Sequence, residues 1–194
     1  MELKKKKLLK EHKKAIEKIG NMLKEGNFYL AGGTGVYYYL QHRHSVDLDF
    51  FTDKVIDFRE FHHYFEPEEI KLLTKDTIHA KVENINLSFF QYPYLLLKPP
   101  NNLEMIKIAS LEDILCMKVN NIISRGSRKD FVDVYFIIKA LKMGSDEVIN
   151  LFKKKFGAYE ELVIKKSLTY FEDAEKEPEF PMIKKVNWEN MINV

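Results

Sequence analysis

The sequence predicts an α+β fold in which a mixed sheet with flanking helices is followed by a C-terminal α-helical half. Up to about residue 100, short apolar or alternating runs typical of strands accompany one long amphipathic segment and shorter helical ones. Pro99-Pro100 ends this pattern. Beyond it, two Ser-x-x-Asp signatures each precede a run with helical periodicity.

The first half supplies a long N-terminal helix and the strands of the sheet. Residues 3–25 form an amphipathic pattern that stops at Gly26-Asn27 and predict a helix. The segments that follow are a strand at 28–31, a helix at 34–41, a strand at 45–51 and a helix at 57–65. Three more strand-like runs complete the sheet, "EIKLLT", "TIHAKVE" and "INLSFFQY".

After residue 100 we predict helices only. Their expected ranges are 110–124, 127–143, 145–155 and 159–174, with "WENMI" packing back on the body. The acidic run "EDAEKEPEF" reads as a helix end that continues into a proline-containing tail rather than a binding site. We therefore divide the chain into a core with an N-terminal helix, 1–100, and a helical region, 101–194, that packs on the core and closes a cleft.

Composition narrows the class of protein. With 194 residues and 45% hydrophobic residues the chain can bury a real core, and its single cysteine cannot form an internal disulfide. No apolar run resembles a leader or a membrane span, so we expect a cytoplasmic protein that does not use a membrane. Residues 1–26 carry nine lysines against four glutamates, which indicates a solvated helix face in preference to a polyanion site.

Asp47 and Asp49 lie two residues apart in the apolar run "SVDLDFF". On a strand both carboxylates would share one face, while Val46, Leu48 and Phe50 would face the core. Neighbouring carboxylates repel each other unless a cation lies between them, and Mg²⁺ binds through one or two carboxylates plus nucleotide phosphates. Taken alone, the pair is better explained as ordinary surface aspartates on a solvent-facing strand.

The Gly32-Gly33 turn upstream reverses that preference. It ends one strand just before a short helix that starts at Thr34, so backbone N–H groups and the helix N-terminus can point at a triphosphate. A phosphate cradle followed by a carboxylate pair is a constellation for phosphoryl or nucleotidyl transfer from an NTP. We predict that Asp47 and Asp49 bind Mg²⁺ or Mn²⁺ and that the turn binds the nucleotide.

The predicted helix at 110–124 carries an unexpected lysine. At about 100° per residue, Lys118 falls in the middle of the apolar stripe of that helix. It either snorkels to the helix edge or, as we prefer, lines a cleft and meets a phosphate. Arg125 lies on the same stripe, and Arg128 and Lys129 follow in the loop, where cations could hold a triphosphate or an RNA backbone.

Asp130 falls near the apolar face of the next predicted helix. Its carboxylate either caps the first turn of that helix or borders an active site, and the two interpretations weigh equally. Asp133 sits more to the side of the same helix. An ion pair of either carboxylate with Lys118 would satisfy both groups.

Two segments of the sequence resemble the motifs of a known family. "AGGTGVYYYLQHRHSVDLDF" carries the pattern of the nucleotidyltransferase (polymerase β-like) superfamily, in which Gly-Gly precedes Asp-hydrophobic-Asp-hydrophobic. More narrowly, "GGT", "HR", a serine and "DLDFF" resemble the AbiEii/AbiGii toxin-like branch, which includes toxins of type IV toxin–antitoxin systems. "MKVNNIISRGSRKDFVDVYFI" is similar to the second region of that branch, and the resemblance covers most of residues 28–140. It implies a nucleotidyltransferase-like fold.

The resemblance also implies site residues. It implies that His42, Arg43 and Ser45 lie beside the nucleotide. It also implies that Arg43 and Lys118 balance the negative charge of the phosphates. It favours Asp130 over Asp133 as a catalytic residue beside Asp47, Asp49 and Lys118.

One departure from the superfamily concerns a third carboxylate, which active members usually carry on the strand beside the Asp-x-Asp strand. The equivalent run here, "INLSFFQYP", offers Asn86 and Ser88. Glu83 could substitute only if that strand began earlier than we place it. This departure affects the expected turnover and leaves the expected fold and nucleotide binding unchanged.

Together these observations predict a Mg²⁺-dependent nucleotidyltransferase that moves an NMP from an NTP to an acceptor hydroxyl and releases pyrophosphate. An RNA 3′ end, such as that of tRNA, is the favoured acceptor, and a cognate antitoxin is the expected partner of a type IV toxin. One alternative is a degenerate nucleotide- or RNA-binding module that lacks the third carboxylate. A weaker alternative is a phosphotransferase that uses the γ-phosphate.

Overall fold

The computed structural model describes residues 7–157, 159–188 and 191, and within them it contains seven α-helices and a seven-stranded mixed sheet. The α+β prediction is confirmed. The helices are α1 Lys10–Glu25, α2 Gly32–Leu40, α3 Leu111–Arg125, α4 Arg128–Leu141, α5 Ser145–Phe156, α6 Glu161–Thr169 and α7 Glu172–Lys176. The strands are β1 Tyr29–Leu30, β2 Leu48–Thr52, β3 Ile70–Leu73, β4 Thr77–Val82, β5 Ile85–Gln91, β6 Asn101–Leu103 and β7 Ile106–Ile108.

The sheet brings distant parts of the chain side by side. Its order is β3-β4-β5-β2-β1-β7-β6. β2 pairs in parallel with β5 and antiparallel with β1, and β1 pairs in parallel with β7. The strand of the aspartate pair therefore lies at the centre of the sheet, between β5 and β1.

The expectation of helices only after residue 100 is wrong, because β6 and β7 belong to the sheet. Each of these strands has three residues, which is too short to show an alternating pattern in the sequence. The division of the chain at residue 100 stays a prediction.

Three predicted helices have different limits or character. α1 begins at Lys10, because the Leu9 backbone is extended and its N–H donates to the Tyr38 hydroxyl at 3.2 Å; residues 1–6 of the predicted helix lie outside the described range. The segment predicted at 57–65 is a 3₁₀ helix, Phe58–Tyr64. The segment predicted at 159–174 is divided into α6 and α7, and residue 158 is not described.

α2 connects the sheet to the helical half. It contacts β2 on one side and α3 and α4 on the other. A methyl group at Gly35 would lie 3.0 Å from Ile114 Cδ1, so the absence of a side chain allows α2 to approach α3 closely. The first turn of α2 is thus held at the junction of the two halves. Among the described helices, none is both long and apolar enough to cross a membrane.

Candidate active site

The carboxylate pair lies where β2 begins. Asp47 immediately precedes the strand and is exposed, while Asp49 is its second residue and is half-buried. Leu48 and Phe50 face the core as predicted, but Val46 does not, because it lies outside the strand and is 52% exposed. The two aspartates therefore meet solvent at the edge of a buried strand.

Asp49 packs directly on the glycine turn. Gly32 has φ +63°, a conformation that L side chains rarely adopt, and a methyl group there would overlap the Asp49 carboxylate. Gly32 and Gly33 form the first turn of α2 rather than a loop before it. The backbone of the helix N-terminus is consequently in contact with the carboxylate pair.

The neighbouring strand β5 supports both carboxylates with neutral groups. Asn86 Nδ2 donates to Asp47 Oδ1 at 3.0 Å, and Ser88, which lies beside Asp49 in the sheet, bonds to the Asp49 carboxylate. The Ser88 hydroxyl also contacts His79 Nδ1 at 3.0 Å. Glu83 lies in the turn before β5 with φ 51°, so the strand does not begin early enough to bring it to this face.

Lys118 is buried and paired rather than snorkelling. Its ammonium lies 2.8 Å from Asp130 Oδ1 and 2.7 Å from Asp133 Oδ2, and only 6% of its side chain is exposed. Arg125 Nε donates to the other Asp130 oxygen at 2.9 Å, so Asp130 joins two cations of α3. The predicted Ser127 hydroxyl cap of α4 is absent, since Ser127 bonds to Glu177 instead.

Asp133 is the centre of the buried network and is fully buried. Arg43 donates to both of its oxygens at 2.7 Å, and His42 Nε2 contacts it at 2.6 Å. Asp133 therefore faces the interior rather than the side of its helix, where it meets Lys118 as well as two partners from a segment about ninety residues earlier. Asp133 fixes the chain just before Ser45 against α4.

Charge and burial act together on three of these groups. Burial raises the pKa of Asp49, Lys118 opposes that change, and the nearby Asp47 charge adds to it. Burial would lower the pKa of Lys118, but Asp133 and Asp130 outweigh it and the pKa is raised. Burial lowers the pKa of His42, despite its contact with Asp133, which favours a neutral imidazole.

A cavity of about 480 Å³ joins the two halves at this point, and we call it the cleft. Asp47, Asp49 and Lys118 all line it, so the three side chains share one cavity. The remaining lining residues are Gly33, Arg43, Ser45, Arg125, Ser127, Lys129, Asp130 and Glu177.

Four residues predicted to bind the nucleotide do not line the cleft: Gly32, Thr34, His42 and Arg128. Gly32 instead packs on the Asp49 carboxylate. The Thr34 side chain is buried, and its hydroxyl bonds to Ser45 Oγ and the Asp47 carbonyl oxygen. These bonds fix the segment between α2 and β2, residues 41–47, which we call the carboxylate loop. His42 is fully buried behind Arg43. Arg128 lines a separate cavity, where its guanidinium lies 4.7 Å from the Trp188 ring.

Glu177 enters the cleft from the acidic run that we expected to be only a tail. Its Oε2 accepts from Ser127 Oγ at 3.1 Å and from the Arg128 backbone N–H at 3.0 Å. The chain beyond it crosses to the carboxylate loop, where Met182 forms a bridge with Arg43. One sequence signal could have marked this position, namely a carboxylate beside a proline at the end of α7.

The C-terminal end packs back as predicted, as far as it is described. Trp188 contacts the rings of Phe131 and Phe171 in edge-on geometry. Met191 is also buried, while residues 189, 190 and 192–194 of the predicted "WENMI" region and its end lie outside the described range.

Comparison with known proteins decides the family. The family model described as "Nucleotidyl transferase AbiEii toxin, Type IV TA system" matches residues 15–101 and 81–193. The chain belongs to the AbiEii family. The resemblance inferred from the sequence motifs is therefore confirmed, and with it the nucleotidyltransferase class.

Relatives of this AbiEii-family chain include an uncharacterized protein, aq_aa25, of Aquifex aeolicus (strain VF5). The two are 39% identical over 178 residues, which cover 88% of this chain and 86% of the relative. Among solved structures, JHP933 from Helicobacter pylori is 21% identical with a TM-score of 0.49 and covers 74% of this chain and 72% of its own. The Megavirus polyadenylate synthase is 14% identical with a TM-score of 0.47, and the match covers 67% of this chain and 31% of the synthase.

The donor set of the AbiEii-family cleft suits a hard divalent cation. Asp47 and Asp49 provide oxygen ligands, and the cleft beside them leaves room for phosphate and water oxygens. The described part of the chain has no group of three or more His, Cys, Asp or Glu side chains placed to hold a metal by themselves. The residues present fit an ion such as Mg²⁺ that is bound together with a nucleotide.

Gly32→Ala tests the contact between the turn and Asp49. We expect a loss of about 1–3 kcal/mol of unfolding free energy, because the new methyl group requires a strained φ and displaces the carboxylate. Gly20→Ala is the matched control, since Gly20 lies inside α1 with nothing within 4 Å. That variant should gain about 0.5–1 kcal/mol. Urea denaturation measures both, and equal stabilities of the two variants would contradict the contact.

Proposed function

We propose that this AbiEii-family protein is a Mg²⁺- or Mn²⁺-dependent nucleotidyltransferase that transfers an NMP from an NTP to an acceptor hydroxyl. The observation that carries the proposal is the single cleft lined by Gly33, Asp47, Asp49 and Lys118. We favour an RNA 3′ end, such as that of tRNA, as the acceptor and the cytoplasm as the location. A cognate antitoxin is the partner that membership of a type IV family implies.

The residues of the cleft divide the work of binding. Gly33 and Ser45 would contact the triphosphate, and Asp47 and Asp49 would hold the metal. Arg125, whose Nε is paired with Asp130 but whose side chain is 61% exposed, and the exposed Lys129 present the charge that phosphates can reach. In this arrangement the core, 1–100, and the helical region, 101–194, form the two walls.

Lys118 and Arg43 are assigned an organising role. Both are paired with buried aspartates, so much of their charge is already neutralised within the protein. Asp130 and Asp133 thereby hold the two cations at the wall of the cleft, where they face the carboxylate pair. Catalysis then rests on positioning and on electrostatic stabilisation in a preformed site.

The proposed transfer is a nucleophilic substitution at the α-phosphorus of the NTP. The acceptor hydroxyl gives up its proton to water, and its oxygen forms a bond to the α-phosphorus. The bond between that phosphorus and the oxygen that bridges it to the β-phosphorus breaks, and pyrophosphate leaves. A divalent cation at Asp47 and Asp49 would neutralise the phosphate charge that develops. The side chains of Arg125 and Lys129 would orient the phosphates at the rim of the cleft.

A second candidate function is nucleotide or RNA binding without catalysis. The position of Ser88 supports it, because Ser88 lies beside Asp49 where active members of the superfamily usually carry a third carboxylate. Phosphotransfer from the γ-phosphate remains the third outcome to be tested.

NTPs labelled at the α- or γ-phosphate, incubated with total RNA and Mg²⁺ or Mn²⁺, separate the three functions. We expect the α label to appear in RNA in a metal-dependent reaction, which EDTA abolishes. Transfer of the γ label would replace the proposal with phosphotransfer. Binding of NTP with no transfer of either label would establish the degenerate module.

A further inference from the structure

A groove of about 590 Å³ lies beside the cleft, between the C-terminal end of α3 and the helices α6 and α7. Its volume is in the range of sites that bind small ligands. We call it the α3–α6 groove and define it by Arg125, Gly126, Lys166, Ser167, Tyr170 and Asp173.

Arg125 lines both the groove and the cleft. Its Nε atom is held by Asp130 on the cleft side, and 61% of its side chain is exposed. α3 ends at this residue, and Gly126 follows with φ 61°. The two cavities are therefore neighbours across one arginine, and an extended ligand could occupy both.

The opposite wall of the groove offers an unpaired cation and an exposed ring. Lys166 is exposed, and no ion pair of its ammonium occurs within the described residues, whereas the adjacent Lys165 is bound to Glu161 at 2.7 Å. Tyr170 is 50% exposed. The acidic member, Asp173, is paired with Lys176 at 3.0 Å. Lysine and arginine charge with an accessible aromatic face is the combination that binds single-stranded nucleic acid.

We propose that the α3–α6 groove binds the nucleotides that precede the 3′ end of an RNA acceptor. This proposal rests on the proposed function, because it sets the terminal hydroxyl in the cleft. A base stacks on Tyr170, Lys166 contacts a backbone phosphate, and Arg125 lies under the phosphate at the entry to the cleft. The acceptor is thus held by contacts that do not depend on base identity.

Two pairs of variants test the groove. Tyr170→Leu removes the ring, and Tyr170→Phe keeps it while it removes the hydroxyl bond to Glu172. Lys166→Gln removes the free charge, and Lys165→Gln removes a charge one residue away that lines no part of the groove. All three sites are on the surface, so thermal denaturation should show that each of the four variants is folded.

The measurement is fluorescence anisotropy of the full chain with a single-stranded RNA of about ten nucleotides and a free 3′ hydroxyl, without NTP. We expect Kd to rise about tenfold for Tyr170→Leu and about threefold for Lys166→Gln, with less than about twofold change for the two controls. Equal affinities for all five proteins, or no binding by the wild type, would overturn the proposal. Competition by an acidic peptide in preference to RNA would overturn it as well.

Kinetics separate this proposal from the proposed function. If the protein transfers NMP to RNA, Tyr170→Leu and Lys166→Gln should raise KM for RNA and leave KM for NTP unchanged. If both variants transfer NMP with an unchanged KM for RNA, the groove proposal is refuted and the proposed function is supported. If RNA binding depends on Tyr170 and Lys166 but no transfer occurs, the groove is supported as an RNA-binding site and the proposed function is refuted.

Discussion

Transfer of the α label should fall at least about a thousandfold when Asp47→Asn and Asp49→Asn are combined, because both carboxylates assigned to the divalent cation are then replaced by neutral amides. The fold should survive. Burial raises the pKa of Asp49, so its charged form opposes folding at neutral pH and a neutral amide relieves that cost. We expect the double variant to melt at or slightly above the wild-type temperature.

Asp53→Asn is the control for the double variant, because Asp53 is an exposed aspartate just beyond β2 that does not line the cleft. It should keep wild-type transfer. A folded double variant that transfers the label as well as the wild type would refute the assignment of the metal site. An unfolded double variant would refute the account of Asp49 as a destabilising charge.

Asp133→Ala should produce the largest loss of stability, about 3–5 kcal/mol, because it leaves Arg43 and Lys118 buried without one of their counter-charges. The urea midpoint measures the loss. Asp173→Ala is the control, since that aspartate is 61% exposed and a solvent-exposed ion pair such as the one it forms with Lys176 adds little to stability. An Asp133→Ala midpoint equal to that of Asp173→Ala would contradict the network.

The same network gives a pH dependence. Burial alone would raise the pKa of Asp133, but Lys118, His42 and Arg43 together hold it well below its ordinary value. A carboxylate with a lowered folded-state pKa stabilises the fold above its unfolded pKa, near 3.9, and loses that contribution as the pH falls below it. The difference in unfolding free energy between wild type and Asp133→Ala should therefore shrink steadily below about pH 4.

The features predicted correctly from the sequence are those that follow from the spacing of residues along a single strand or helix. Asp47 and Asp49 share a side by their spacing, and the position of Lys118 in an apolar stripe showed that it faces inward. Both patterns can be recognised within a few residues. The network around Lys118 could not be derived in full, because a helical period gives the face of a residue but not the identity of a distant partner.

Three other features depended on contacts between distant segments. β6 and β7 carry no period of their own and become strands only by pairing with β1 or with each other. Glu177 looked like one acid among several until the chain placed it at the start of α4. Val46 looked like a core residue because the sequence does not mark where β2 begins.

The parallel pairing of β1 with β7 has a consequence for how the protein is made. The ribosome delivers Asp47 and Asp49 early, but β1 must wait for residues 106–108, Arg43 must wait for Asp133, and the cleft must wait for Glu177. A nascent chain thus carries Asp47 and Asp49 without the second wall of the cleft until the segment that contains Glu177 has been synthesised. In this AbiEii-family chain the complete cleft therefore forms only after Glu177 has been synthesised.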